Sequence, residues 1–107
     1  MDKIAMLTEI LAANPLDAFA RYGLALEYVG QQRFDEAFAE FAKLVELNPE
    51  YVPGYQMYAQ TLLKAGHTSD AIAMMRRGME CAERAGNTHA WAEMSEMLNE
   101  IEGEMLP

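Results

Sequence analysis

Few residues of this chain could do chemistry, and they are scattered. His89 stands four residues before Glu93, a spacing at which an imidazole and a carboxylate share one helix face. Such a pair could orient a general base or begin a metal site. A metal site needs further His, Cys or Asp ligands converging on the same point, and neither His89 nor His67 has them at ligand spacing. Cys81 is the single cysteine, so no intramolecular disulfide can form, and its apolar helical setting suits a small buried hydrophobe better than a reactive thiolate. No glycine-rich phosphate loop, nucleophile elbow or histidine with an evident Ser or Cys partner occurs in the sequence. The expectation is a protein that is not an enzyme, with no cofactor and no metal.

Charge says more. The chain has 17 acidic residues against 8 Lys plus Arg, a formal net charge of -9. A field of that sign repels nucleic-acid phosphate and anionic membranes and attracts basic partners. Glu93, Glu96 and Glu100 fall at three- and four-residue spacings that put them on one helix face. They read either as the solvated face of a terminal helix or as a site for a basic partner. Glu102 and Glu104 are assigned to a fraying tail. Arg76 and Arg77, with Arg84, are expected to point outward and pair with Glu80 at helical spacing. Residues 1–13 carry Asp2 and Lys3 and build no uncharged apolar run before a cleavage-like site, so they do not read as a secretory signal. No stretch is apolar enough for a bilayer span, and a cytoplasmic protein is expected.

The elements that must position these residues are helical. Hydrophobic residues make up 51% of the 107, with Ala and the nine Met outweighing Val and Ile, and no strand-like alternation appears. Gly30, Gly66 and Gly86 follow apolar-periodic runs, where a left-handed residue ends a helix. Asp17, Thr68, and Asn87 or Thr88 precede such runs as candidate N-caps. These stops and starts predict six helices, near 2–13, 17–30, 34–47, 52–65, 69–85 and 88–102. The connections are so short that neighbours must pack antiparallel.

Asn14-Pro15 recurs as Asn48-Pro49, and the residues behind each proline repeat in kind at the same offset. Leu24-Ala25 matches Tyr58-Ala59, Tyr28 matches Leu62, Ala37 matches Ala71, and Phe41 matches Met75. A unit of this period cannot bury its face alone and must stack on neighbours. With its period of about 34 residues and this pattern, the chain resembles a tetratricopeptide repeat protein. The first full unit, 18–51, supplies Leu24, Ala25, Tyr28, Ala37, Phe41 and Pro49. The second, 52–85, supplies Tyr55, Tyr58, Ala59, Leu62, Gly66, Ala71, Met75 and Gly78. Arg21 at a usual aromatic position, Leu44 at a usually small one and Glu83 at the usual final proline depart from it. Residues 1–16 match the second helix of a leading half-unit, with Ile4, Leu7 and Leu11 standing one period before Phe38, Phe41 and Val45. Residues 88–102 match a first helix acting as a cap, through Trp91, Met94, Ser95 and Leu98. The fold expected is one all-α domain over 1–107, a short right-handed superhelical array of antiparallel helix pairs.

The resemblance implies a non-enzymatic scaffold that binds a peptide or helical segment of another protein in a concave groove, an apolar or basic one. First-helix positions would line that groove: Phe19, Tyr22, Gly23, Leu26 and Val29, then Gln56, Met57, Gln60 and Leu63, then Glu93, Glu96 and Glu100. Of the methionines only Met57 is expected there, and most of the others in the core. One branch of the family grips a chaperone's C-terminal carboxylate with Lys, Arg and Asn. Those positions here hold Tyr22, Leu26, Met57, Ala92 and Glu93, so an acidic tail is disfavoured. The competing expectation is a homo-oligomer whose apolar array ends are buried by self-association.

Overall fold

The computed structural model describes residues 2–105, so the ends of the expected domain at Met1, Leu106 and Pro107 lie outside the described residues. These residues form six α-helices and no strand: α1 (Lys3–Ala13), α2 (Ala18–Gly30), α3 (Phe34–Leu47), α4 (Val52–Lys64), α5 (Thr68–Ala85) and α6 (Thr88–Met105). Three of them start from a side-chain cap. Asp2 accepts from the amide of Ala5 at 2.8 Å, Asp17 from that of Ala20 at 2.9 Å, and Asn87 from that of Ala90 at 3.0 Å. Each satisfies an amide that the first turn leaves without a helical acceptor. α3 and α5 start without such a bond, from Arg33 and His67, which lie one repeat period apart and share one backbone conformation. Thr68 is therefore the first helical residue of α5 and not its cap. Asn14 and Asn48 end α1 and α3 with backbones outside the helical region, which the proline that follows each disfavours.

Left-handed backbone occurs at Gly66 and Gly86, as expected, and at Gln32 in place of Gly30. α2 runs through Gly30, and the turn falls two residues later, at the position one period before Gly66.

The chain divides into two compact units, Met1–Gly54 and Tyr55–Pro107. In the first, Leu11, Ala20 and Leu24 form a core with Ile4, Leu7 and Tyr28 packed against it. Ala25, Ala37, Phe41 and Leu44 are fully buried. Leu44, the departure from the small residue expected there, is accommodated by glycine: a Cβ on Gly54 would meet its Cδ2 at 3.0 Å. The second unit reverses that arrangement. Gly78, the counterpart of Leu44 one period on, lies so close to its neighbours that a Cβ would come within 2.7 Å of the Met94 sulfur and 2.8 Å of Tyr55 Cβ. Ala59, Ala71, Met75, Cys81 and Ala82 complete this core.

Arg21, the other departure, is 7% exposed. Its Nη1 donates to Glu40 Oε1 at 3.0 Å and its Nη2 to the carbonyl of Pro15 at 3.0 Å, while its Nε has no partner. Glu40 is 9% exposed, so this ion pair is taken out of water. The equivalent positions of the next repeat hold Tyr55 and Met74. α6 extends past its expected end at 102 to Met105, and Glu102 belongs to it. Arg76 donates to Glu102 at 3.0 Å, across helices and not to Glu80. Arg77 lies 5.4 Å above the ring of Tyr55.

Candidate functional site

α2 carries Phe19, Tyr22, Leu26 and Val29 at intervals of three and four, which set them along one stripe. Phe19 is 78% exposed, and the other three are half-buried. Tyr22 meets Tyr51 edge to face, with ring centroids 5.7 Å apart. Burial holds the phenols of both above the ordinary tyrosine value, since the ionised form would lose its hydration. Gly23 is half-buried, and a Cβ there would make ordinary contact at 3.6 Å with both methyl groups of Leu7. The stripe thus offers an apolar, aromatic surface with one prominent ring and no charge.

In the second unit, α4 and α6 enclose a concavity of about 220 Å³ lined by Gln56, Gln60, Glu93, Glu96, Met97 and Glu100. Two amides one turn apart form the α4 wall. Three carboxylates at i, i+3 and i+7 form the α6 wall, spanning about 10 Å of helix axis. His89 Nε2 lies 3.0 Å from Glu93. Glu96 and Glu100 have no hydrogen-bond or ion-pair partner among the described residues. No Lys or Arg lines the concavity. A cation entering it would meet acceptors on one side and amides able to donate or accept on the other, with the flexible thioether of Met97 beneath for an aliphatic stem.

The structure therefore gathers Gln56, Gln60, Glu93, Glu96 and Glu100 at one place. Met57 and Leu63 are half-buried on α4 and do not line that concavity. Met97, assigned to the core by its helical spacing, lines it instead. The signal for Met97 was its place four residues after Glu93 and three before Glu100, on the carboxylate side of α6. Among the described residues no three His, Cys, Asp or Glu side chains converge as metal ligands, and no helix is long and apolar enough to cross a membrane.

A family model described as tetratricopeptide repeat matches residues 28–92. A tetratricopeptide repeat domain protein from Salinibacter ruber is 32% identical, with 84% of this chain and 91% of that one covered and a TM-score of 0.79. The TPR2B domain of yeast Sti1, solved in a complex with pHsp70, shares the fold at 19% identity, covering 94% of this chain and 81% of that one with a TM-score of 0.85. The Yersinia enterocolitica type III secretion translocator chaperone SycD does so at 14%, covering 95% and 71%, also with a TM-score of 0.85. An acetaldehyde dehydrogenase from Burkholderia pseudomallei is 34% identical over 79 residues, which are 73% of this chain and 27% of that protein. The chain spans about a quarter of the length of the curated relatives it matches.

Proposed function

The chain belongs to the tetratricopeptide repeat family, and on that footing we propose that it is a non-enzymatic module that binds a segment of another protein. Members of this family commonly mediate protein–protein interaction. In this reading the repeats run over 18–51 and 52–85. The α2 stripe receives apolar side chains of the ligand, on Phe19, Tyr22, Leu26 and Val29. Gln56, Gln60, Glu93, Glu96 and Glu100 receive basic ones, with Met57 and Leu63 contributing apolar contact on α4. The observation that carries the reading is the carboxylate wall, of which Glu96 and Glu100 have no counter-charge among the described residues. Sti1's TPR2B domain shares the fold and is solved with pHsp70. An acidic peptide tail would be repelled by the wall found here, so the ligand proposed is of opposite charge.

The test uses two peptides of equal length, one rich in Lys and Arg and one rich in Glu. The basic peptide is expected to bind with an affinity that falls as salt rises, and the acidic one not to bind. Replacing Glu93, Glu96 and Glu100 together by Gln keeps helix propensity and removes only charge. It is expected to weaken the basic peptide roughly tenfold or more at low salt and to flatten the salt dependence. Phe19→Ala with Tyr22→Ala should weaken a peptide that also carries apolar side chains at every salt concentration. Unchanged affinity of the Gln variant at low salt would leave the carboxylates as a solubilising surface only.

A further inference from the structure

The two termini of the described chain expose what the middle covers. Met6 and Ile10 on α1 are 45% and 40% exposed, yet they stand one repeat period before Glu40 and Leu44, which are 9% and 0% exposed on α3. In the first unit Glu40 is covered by the first helix of the same repeat, whose Arg21 grips it, while Leu44 packs against Gly54 of α4. α1 has the counterpart of α3's covered face but no helix over it among the described residues. α6 shows the complement. The caps Asp17 and Asn87 bond equivalently to Ala20 and Ala90, which aligns Trp91 with Arg21 and, through the repeat period, with Tyr55. Arg21 and Tyr55 are buried, whereas Trp91 is 41% exposed. Hollows of about 260 and 250 Å³ flank its ring, lined by Ala82, Gly86 and Thr88 on one side and by Met79 and Leu98 on the other.

Among the described residues, α1 is thus a second helix with no first helix packed over it, and α6 a first helix with no second helix packed on it. We infer that α6 of one copy packs against α1 of the next, so that two copies of this chain complete a repeat between them. In the composite repeat Trp91 stands opposite Met6, as Tyr55 and Met74 stand at matching positions in the second unit, and Ile10 enters beside Trp91. Ser95, small like its counterpart Ala25, lies at the helix crossing. Lys3 takes the position of Ala37 there, with its ammonium drawn aside to Glu27 at 3.2 Å. α6 also continues more than a turn beyond the point where α2 stops, so the helix that packs on it need not be joined to it by a tight turn. The contact is heterologous, one surface meeting a different one, so a pair leaves one α1 face and one α6 face for further copies.

Two variants separate this arrangement from any pairing of like faces, α1 with α1 or α6 with α6. Trp91→Glu spoils the α6 face and keeps α1, while Met6→Glu with Ile10→Glu spoils α1 and keeps α6. All three residues are exposed, and circular dichroism checks that both variants remain helical. The unaltered chain is expected to gain mass with concentration, more at high salt, where its like charges are screened. Each variant alone should stay a monomer, and a mixture should form a one-to-one pair and nothing larger. Trp91 is the only tryptophan, so in that mixture all tryptophan emission comes from the variant that keeps it. Its emission should shift to the blue on titration with the silent partner. A monomer mass and unchanged emission at all concentrations and salts would overturn the inference. So would self-association of the Met6→Glu, Ile10→Glu variant, which would mean α6 meeting α6.

Discussion

Gln32 is held at a φ of 58°, in the left-handed region that its counterpart Gly66 enters at 86° without a side chain to object. A side chain there brings Cβ close to the following carbonyl, a strain of roughly 1–2 kcal/mol, partly offset because glycine gives the unfolded chain more freedom. Gln32→Gly is therefore expected to raise stability by about 0.5–1 kcal/mol, read as a higher urea midpoint with unchanged slope. A lower midpoint would mean that the side chain is held there by something more valuable than relaxed backbone. The position was concealed in the sequence because Gly30 stood two residues away, a glycine after an apolar run and so the obvious candidate for the helix end. Only the helix length decides between them. At Thr68 the same limit applied: its hydroxyl made it the better-looking cap than His67, but residue type does not fix the turn at which a helix begins.

At the scale of elements, the repeat period was legible because burial of one helix against another restricts residue size at fixed offsets, and Ala25, Ala37, Ala59 and Ala71 all prove fully buried. What the pattern could not disclose is compensation, where two departures answer each other. Leu44 is answered by Gly54, and Arg21 by Glu40. The carboxylates of the candidate site were legible from their helical spacing, whereas Met97 was not, since a methionine at that interval suits a core as well as a cleft wall. Compensation makes a measurable claim. Arg21→Leu alone should destabilise by about 3–5 kcal/mol, because it leaves Glu40 buried without its cation. Arg21→Tyr combined with Glu40→Met, which copies the equivalent residues of the next repeat, should recover most or all of that loss. Chemical denaturation of Arg21→Tyr, Glu40→Met and the double variant closes the cycle, and losses in the singles that simply add in the double would show that the pair is not a unit.

For the whole molecule, the alkaline limit follows from its tyrosines. Burial raises the phenols of Tyr22, Tyr51, Tyr55 and Tyr58, and at Tyr55 the nearby guanidinium of Arg77 works against that shift. A folded-state value above the unfolded one means that the folded chain keeps its protons longer. Below about pH 10 both states are neutral at these sites and their contribution is fully present. As pH rises from there toward the folded values, the unfolded chain ionises first and stability is lost. The melting temperature should accordingly be level near pH 9 and fall above about pH 10. Tyr22→Phe with Tyr58→Phe should make that fall shallower, and an identical fall in the variant would place its cause elsewhere.

A chain built from near-copies faces a hazard that unrelated helices do not, namely that α2 folds onto α5 where it should meet α3. The apolar surfaces alone would tolerate the exchange, since Ala37 and Ala71 or Phe41 and Met75 fit similar spaces. The buried ion pair does not tolerate it. Set against α5, Arg21 would face Met74 and lie buried with no carboxylate, while Glu40 would be left without its cation. The same two residues that spoil the regularity of the repeat thus act as an address, telling one helix which of two look-alike neighbours is its own.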